Sequence, residues 1–214
     1  QMNLGQTQIT QIEQGVQNMK KPISIMIVIH RDLYNYQKND LYADYFSWLK
    51  SELESLSGRD VRLLMYRHDE VAELSGYNYR NEDSNAALQG WTDLINDWFI
   101  TLKKSGEHTP SLTKVLLLTR NNINVTASGL LGGTRGISWY KGHCAIAAIT
   151  STHVPAHEIG HMLGAKHEDS EVIYDGWWHD TIMLTDEFSS MRGNAHRYSD
   201  KNRENIRNYL DQFE

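Results

Sequence analysis

The chain has 214 residues, of which 40% are apolar and 22% charged, with 15 Gly and only 3 Pro; this is the composition of an ordered fold rather than a disordered chain. Lys and Arg number 21 against 27 Asp and Glu, a net charge of −6 that argues against a general nucleic-acid or anionic-membrane binder, which needs a basic stripe. The longest strongly apolar run, Ile23 to Ile29, is interrupted by Ser24 and is far too short to span a bilayer.

Residues Gln1 to Lys20 are rich in Gln and Asn with weak periodicity and read as a lead-in, so residues 1–21 are set apart from a domain spanning 22–214. Lys21-Pro22 opens Ile23 to His30, a β-branched run expected of a strand buried on both faces. Asn39 or Asp40 can cap a helix over Leu41 to Leu56, whose stripe is Leu41, Tyr45, Phe46, Leu49, Leu53 and Leu56; Ser57-Gly58 ends it. Val61 to Tyr66 reads as the next strand. Asp83 or Ser84 starts a second amphipathic helix through Leu88, Trp91, Leu94, Ile95, Trp98, Phe99 and Leu102, which Ser105-Gly106 stops. Lys114 to Thr119 is a third buried strand. Strands alternating with helices imply βαβ units, hence an α/β fold with a largely parallel sheet. From Thr126 to Ile149 the chain turns glycine-rich, with shorter strands at Gly136-Ile137-Ser138-Trp139 and Ala145 to Thr150, at least one of them on a sheet edge. After Gly164 the pattern is irregular until Ser199 or Asp200 caps a final helix carrying Ile206, Tyr209 and Leu210.

The chemistry-bearing segment runs from His157 to His167. Residues four apart share a helix face, so the imidazoles of His157 and His161 can point at one ion. Pro155 suits the first turn of such a helix. Gly164 can take positive φ, stop the helix and turn the chain, and His167 then returns from another direction. Three imidazoles leave a fourth tetrahedral position open, the arrangement of a catalytic rather than a structural zinc site. Zinc lowers the pKa of bound water to roughly 7. A carboxylate at Glu158 can take that water's proton and later deliver it to a leaving amine. Two histidines four apart with a Glu occur by accident in many proteins; a glycine with a geometric task and a third histidine at fixed positions do so far less often. Cys144 is the only cysteine, so no disulfide can form within the chain and a cysteine-rich zinc site is excluded.

On these residues the chain resembles the metzincin metalloproteases, whose signature HExxHxxGxxH runs here from His157 to His167. The resemblance implies a methionine beneath the zinc in a downstream turn. Met183, in Thr181-Ile182-Met183, is the candidate and Met191 the runner-up. Within that clan the chain looks most like the adamalysin (reprolysin) group, through Gly136, Ile137 and Ser138 ahead of Cys144, and through Tyr198-Ser199-Asp200 leading into the last helix. The resemblance also implies an upper lobe (22–164) with a twisted five-stranded sheet and the zinc helix, and a small irregular lower lobe (165–214). An extended peptide would lie between them, adding a strand at Gly136, Ile137 and Ser138. The chain departs from the group in lacking disulfides, which favours a bacterial source. Ser24 stands where an acidic calcium ligand is usual, and Thr185 stands where the branches with a tyrosine ligand have Tyr. No cysteine precedes Lys21, so latency by a cysteine switch would need a removed propeptide.

These readings converge on an exported zinc endopeptidase acting on protein or peptide substrates, any secretion signal having been removed. The low-disulfide pattern also resembles metalloprotease A subunits of bacterial AB-type toxins, where Cys144 would link a second chain or a cleaved tail; a buried, inert thiol is the other reading. Two further function classes stay open: an interaction or toxin chain that keeps zinc only for its fold, and a zinc hydrolase acting on a non-peptide bond. Among smaller signals, Asn124-Val125-Thr126 matches a glycosylation acceptor. His143, His153 and His179 suit surface or supporting roles, Tyr174, Trp177 and Trp178 wall a substrate pocket or fill a core, and Glu168 to Glu171 and Asp186-Glu187 are solvated loop charges.

Overall fold

The computed structural model describes residues 20–125, 133–185 and 191–213. The proposed lead-in before Lys20, the threonine of the glycosylation triplet and the Asp186-Glu187 pair lie outside those residues. The framework is a five-stranded sheet in the order β2-β1-β3-β5-β4, built from β1 (Ile23–Ile29), β2 (Val61–Tyr66), β3 (Thr113–Thr119), β4 (Gly136–Ser138) and β5 (Cys144–Ala148). β1, β2, β3 and β5 run parallel, and only β4 is antiparallel, paired with β5 at the sheet's end. This is the mixed, mostly parallel α/β arrangement expected from the alternation of strands and helices.

Period two along the strands divides the core into two layers. From β1, Ile23, Ile25, Ile27 and Ile29 enter one cluster, and Met26 and Val28 enter the other. The second cluster is covered by the helix α4 (Ser84–Lys104), started as expected by Asp83, whose carboxylate accepts from the amides of Asn85 and Ala86. The first cluster is covered by three elements: the helix running from Lys38 to Ser57, α5 (Val154–Met162) and α6 (Asp200–Leu210). On β5 the residues facing this layer are Ala145 and Ala147, whose short side chains let α5 lie close through Ala156, Ile159 and Met162.

Three expectations need correction. The first helix begins at Lys38 after Gln37, so neither Asn39 nor Asp40 caps it. It is α1 (Lys38–Leu41), a π-helical turn (Tyr42–Phe46) and α2 (Ser47–Ser57). The wider turn makes the step from Leu41 to Phe46 return to the same face, so both are fully buried. Tyr45 is displaced to the rim of that layer, where its hydroxyl donates to the Ile149 carbonyl at 2.9 Å. A one-turn helix, α3 (Ala72–Ser75), follows β2. Second, the fifth strand stops at Ala148 rather than continuing to Thr150. Third, the segment after Gly164 is not irregular throughout. It contains a three-stranded sheet of β6 (Val172–Tyr174), β7 (Trp178–Asp180) and β8 (Gly193–Asn194). No helix among the described residues is long and apolar enough to cross a membrane.

Candidate metal centre

α5 carries Pro155 in its first turn, where a missing N–H leaves nothing unsatisfied. It buries Ala156, Ile159 and Met162 against the sheet, so His157 and His161 face the opposite side. The helix stops at Gly164, whose φ of +97° is closed to most side chains. The Gly164 amide bonds the His161 carbonyl and the Ala165 amide the Gly160 carbonyl, and the chain turns back on itself. α6 fixes the path beyond the turn: Asn202, fully buried, accepts from the Lys166 amide at 2.7 Å and donates to its carbonyl at 2.9 Å. Asn205 reaches Asp169 at 2.6 Å, and the Ser199 hydroxyl bonds the Asp169 carbonyl. His167 is thereby delivered to the face of α5.

The outcome is convergence. Nε2 of His167 lies 2.8 Å from Nε2 of His157 and 2.9 Å from Nε2 of His161. The tautomers of His157 and His161 are set from the far side of the ring. Nδ1 of His157 faces the Ile182 carbonyl at 3.1 Å and Nδ1 of His161 the Ala165 carbonyl at 3.0 Å, so both Nδ1 atoms carry the proton. The Nε2 lone pairs of His157 and His161 therefore both face Nε2 of His167. Among the described residues this is the one group of three or more His, Cys, Asp or Glu side chains that could hold a metal ion. Burial and the neighbouring imidazoles hold His157 down at about 3, and burial also lowers His161, so both stay neutral and able to ligate at physiological pH.

Glu158 sits beside this cluster, 6% exposed. Burial pushes its carboxyl up to about 7, while a hydrogen bond from Ser138 pulls the other way. Met183 is fully buried against α5, whereas Met191 is 72% exposed. Gly160 permits this: a Cβ there would lie 2.8 Å from the Met183 sulfur and 2.7 Å from the Tyr198 ring. Tyr198 locks the same helix by donating to the Ala156 carbonyl at 2.8 Å. Sequence reasoning missed the parts played by Gly160, Tyr198 and Asn202. A glycine inside a helix and a Tyr-Ser-Asp ahead of another were visible, but nothing in their spacing said they meet.

The chain is similar in fold to a metalloproteinase. That protein is metalloproteinase-II from Bacteroides fragilis, whose crystal structure matches with a TM-score of 0.54 at 16% identity over 89% of this chain and 53% of that one. The chain thus spans about half of that protein's length, and at this identity the likeness is one of fold alone. No protein-family model and no curated protein matches the sequence.

The remaining candidates fall elsewhere. Gly136, Ile137 and Ser138 form the terminal strand of the sheet order, next to Glu158. His143 bonds Asn96, and His179 lies 3.0 Å from Asp175. His153 packs with Trp48 and His196. None of the three joins the cluster. The rings of Tyr174 and Trp178 meet at a tilt of 52° with centroids 4.8 Å apart, and with Trp177 they are more than half exposed, so they do not fill a core. Cys144 is fully buried on β5 and its thiol is pushed up to about 12, chiefly by burial. A bridge from it to another chain would require β5 to part from its neighbours.

Proposed function

We propose that this chain is a zinc-dependent endopeptidase of the metzincin type, with His157, His161 and His167 as zinc ligands and Glu158 as general base and then acid. The observation that carries this reading is the meeting of three imidazoles through Nε2 beside a buried carboxylate. All-nitrogen donors from imidazole suit Zn²⁺, and three leave room for a further ligand. When bound, zinc would supply an acidified water and a polarised scissile carbonyl. Glu158 takes the proton of the attacking water and hands it to the amine that leaves, so the peptide bond is exchanged for an acid and an amine. His157 and His161 hold their tautomers through the Ile182 and Ala165 carbonyls, and Met183 and Tyr198 fix the helix that carries them.

β4 favours a peptide over a non-peptide substrate. Among the described residues it has a neighbour on one side only, so its other side can pair with an extended chain next to Glu158. A zinc site kept only for folding, in a chain that acts by binding a partner, has no use for a carboxylate buried at such a place. Export, and a protein substrate outside the cell, extend the same proposal.

The test is cleavage of a mixed peptide library by zinc-loaded protein, with and without chelator. Glu158→Ala is expected to keep one metal ion per chain and lose activity by about 10³-fold or more. Parent-like cleavage by that variant would refute the role of Glu158, and cleavage untouched by chelator would refute the zinc reading.

A further inference from the structure

Along an antiparallel strand, alternate side chains point to opposite faces. On β4, Ile137 packs into the core layer beneath α4. Gly136 and Ser138 therefore face the other way, toward α5, and both meet one group. The Ser138 hydroxyl donates to Oε2 of Glu158 at 2.6 Å. A Cβ at Gly136 would lie 2.6 Å from Oε1 and 2.8 Å from Cγ of the same side chain. Bare backbone thus leaves the space into which Glu158 extends, and the hydroxyl two residues on grips one of its oxygens. Ser138 also lines a cavity of about 350 Å³ with Tyr140, His161, Lys166 and His167.

We propose that Ser138 is a positioning residue for the Glu158 carboxylate: by holding Oε2 it fixes the plane of the group and leaves Oε1 to carry the proton. This rests on the peptidase reading above and goes beyond it, since that reading uses β4 only for its backbone. A glutamate has three side-chain torsions, and a base must sit within hydrogen-bond reach of the proton it takes. One short bond to a charged acceptor removes most of that freedom. The same strand would pair with substrate, so the group that grips the base lies on the element that grips the peptide.

The experiment compares Ser138→Ala and Ser138→Thr in zinc-loaded protein carrying either Glu158 or Glu158→Gln. Ser138→Ala is expected to lower kcat about tenfold with KM within about twofold and metal content unchanged, and Ser138→Thr to restore most of the loss. With Glu158→Gln in place, Ser138→Ala should cost nothing further. A second readout needs no turnover: the ¹³C resonance of the Glu158 carboxyl, assigned by its loss in Glu158→Gln, should move in Ser138→Ala and return in Ser138→Thr. Equal losses in both backgrounds, a loss confined to KM, or an unmoved resonance would overturn the proposal while leaving the peptidase reading intact. A parent that cleaves nothing in a chelator-sensitive way while the resonance still moves would overturn the peptidase reading, and would reduce Ser138 to a structural clamp.

Discussion

Glu158 holds its carboxyl at about 7, well above the ordinary 4.5, because almost no water reaches it. A carboxyl whose folded pKa is raised binds its proton more tightly in the native state, so its contribution is complete below about 4.5 and is lost as pH rises through 7. The metal-free protein is therefore expected to lose up to about 3 kcal/mol of stability from this group between those limits, at about 1.4 kcal/mol per unit. Glu158→Gln keeps an acceptor for Ser138 without the charge, and urea unfolding at pH 5 and pH 8 should show that fall removed. At Gly164 the constraint is conformational. A Cβ there would meet Lys141 at 3.3 Å and Tyr209 at 3.4 Å, on a backbone at φ +97°. Gly164→Val is expected to cost about 2 kcal/mol and to misdirect His167, which zinc titration against a chromogenic chelator would register as weaker binding. Residues bound by helical spacing are readable from sequence, because a period of 3.6 fixes which imidazoles share a face. Ser138 is readable as part of an edge strand but not as a partner of Glu158, since those residues lie twenty apart and meet only through tertiary packing.

At the scale of elements, the histidine cluster is assembled by one helix and held by another. α5 presents His157 and His161 unaided; the place of His167 depends on Asn202 of α6 pairing with both backbone groups of Lys166. Asn202→Ala would leave the half-buried N–H and C=O of Lys166 without their partner, a loss of about 1 kcal/mol. It should also weaken zinc binding about tenfold or more while leaving α5 itself in place, and differential scanning calorimetry with and without zinc would separate the two effects. The long strands and helices could be read because hydrophobic periodicity over seven or more residues is distinctive. β6, β7 and β8, of two or three residues each, are too short to show any period. The π-helical turn explains another miss: Leu41 and Phe46 read as one stripe, and they are, but through a five-residue step that shifts Tyr45 aside.

At the scale of the molecule, the residues on the two sides of Gly164 share one core. Ile206, Tyr209 and Leu210 of α6 belong to the same apolar layer as β1, α2 and α5. α2 and α6 are also joined through Glu52, only 7% exposed, whose two oxygens accept from Arg203 at 2.9 and 2.8 Å while one accepts from the Tyr198 amide at 3.0 Å. Removing one partner of such a pair leaves a charge stranded in a dry place. Arg203→Ala is expected to cost about 3 kcal/mol, and because Tyr198 supports α5, it should lower zinc affinity from a distance. Circular dichroism melts and metal titration of the same sample would test both. The sheet's end has a different consequence. A strand border with open amide and carbonyl groups invites any extended chain, including a sibling copy, and proteins commonly blunt such borders with lysine, proline or a bulge. Here brevity serves instead: β4 is three residues long, enough, on the proposed reading, to seat a passing segment for one turnover and too little to nucleate a stack of identical molecules.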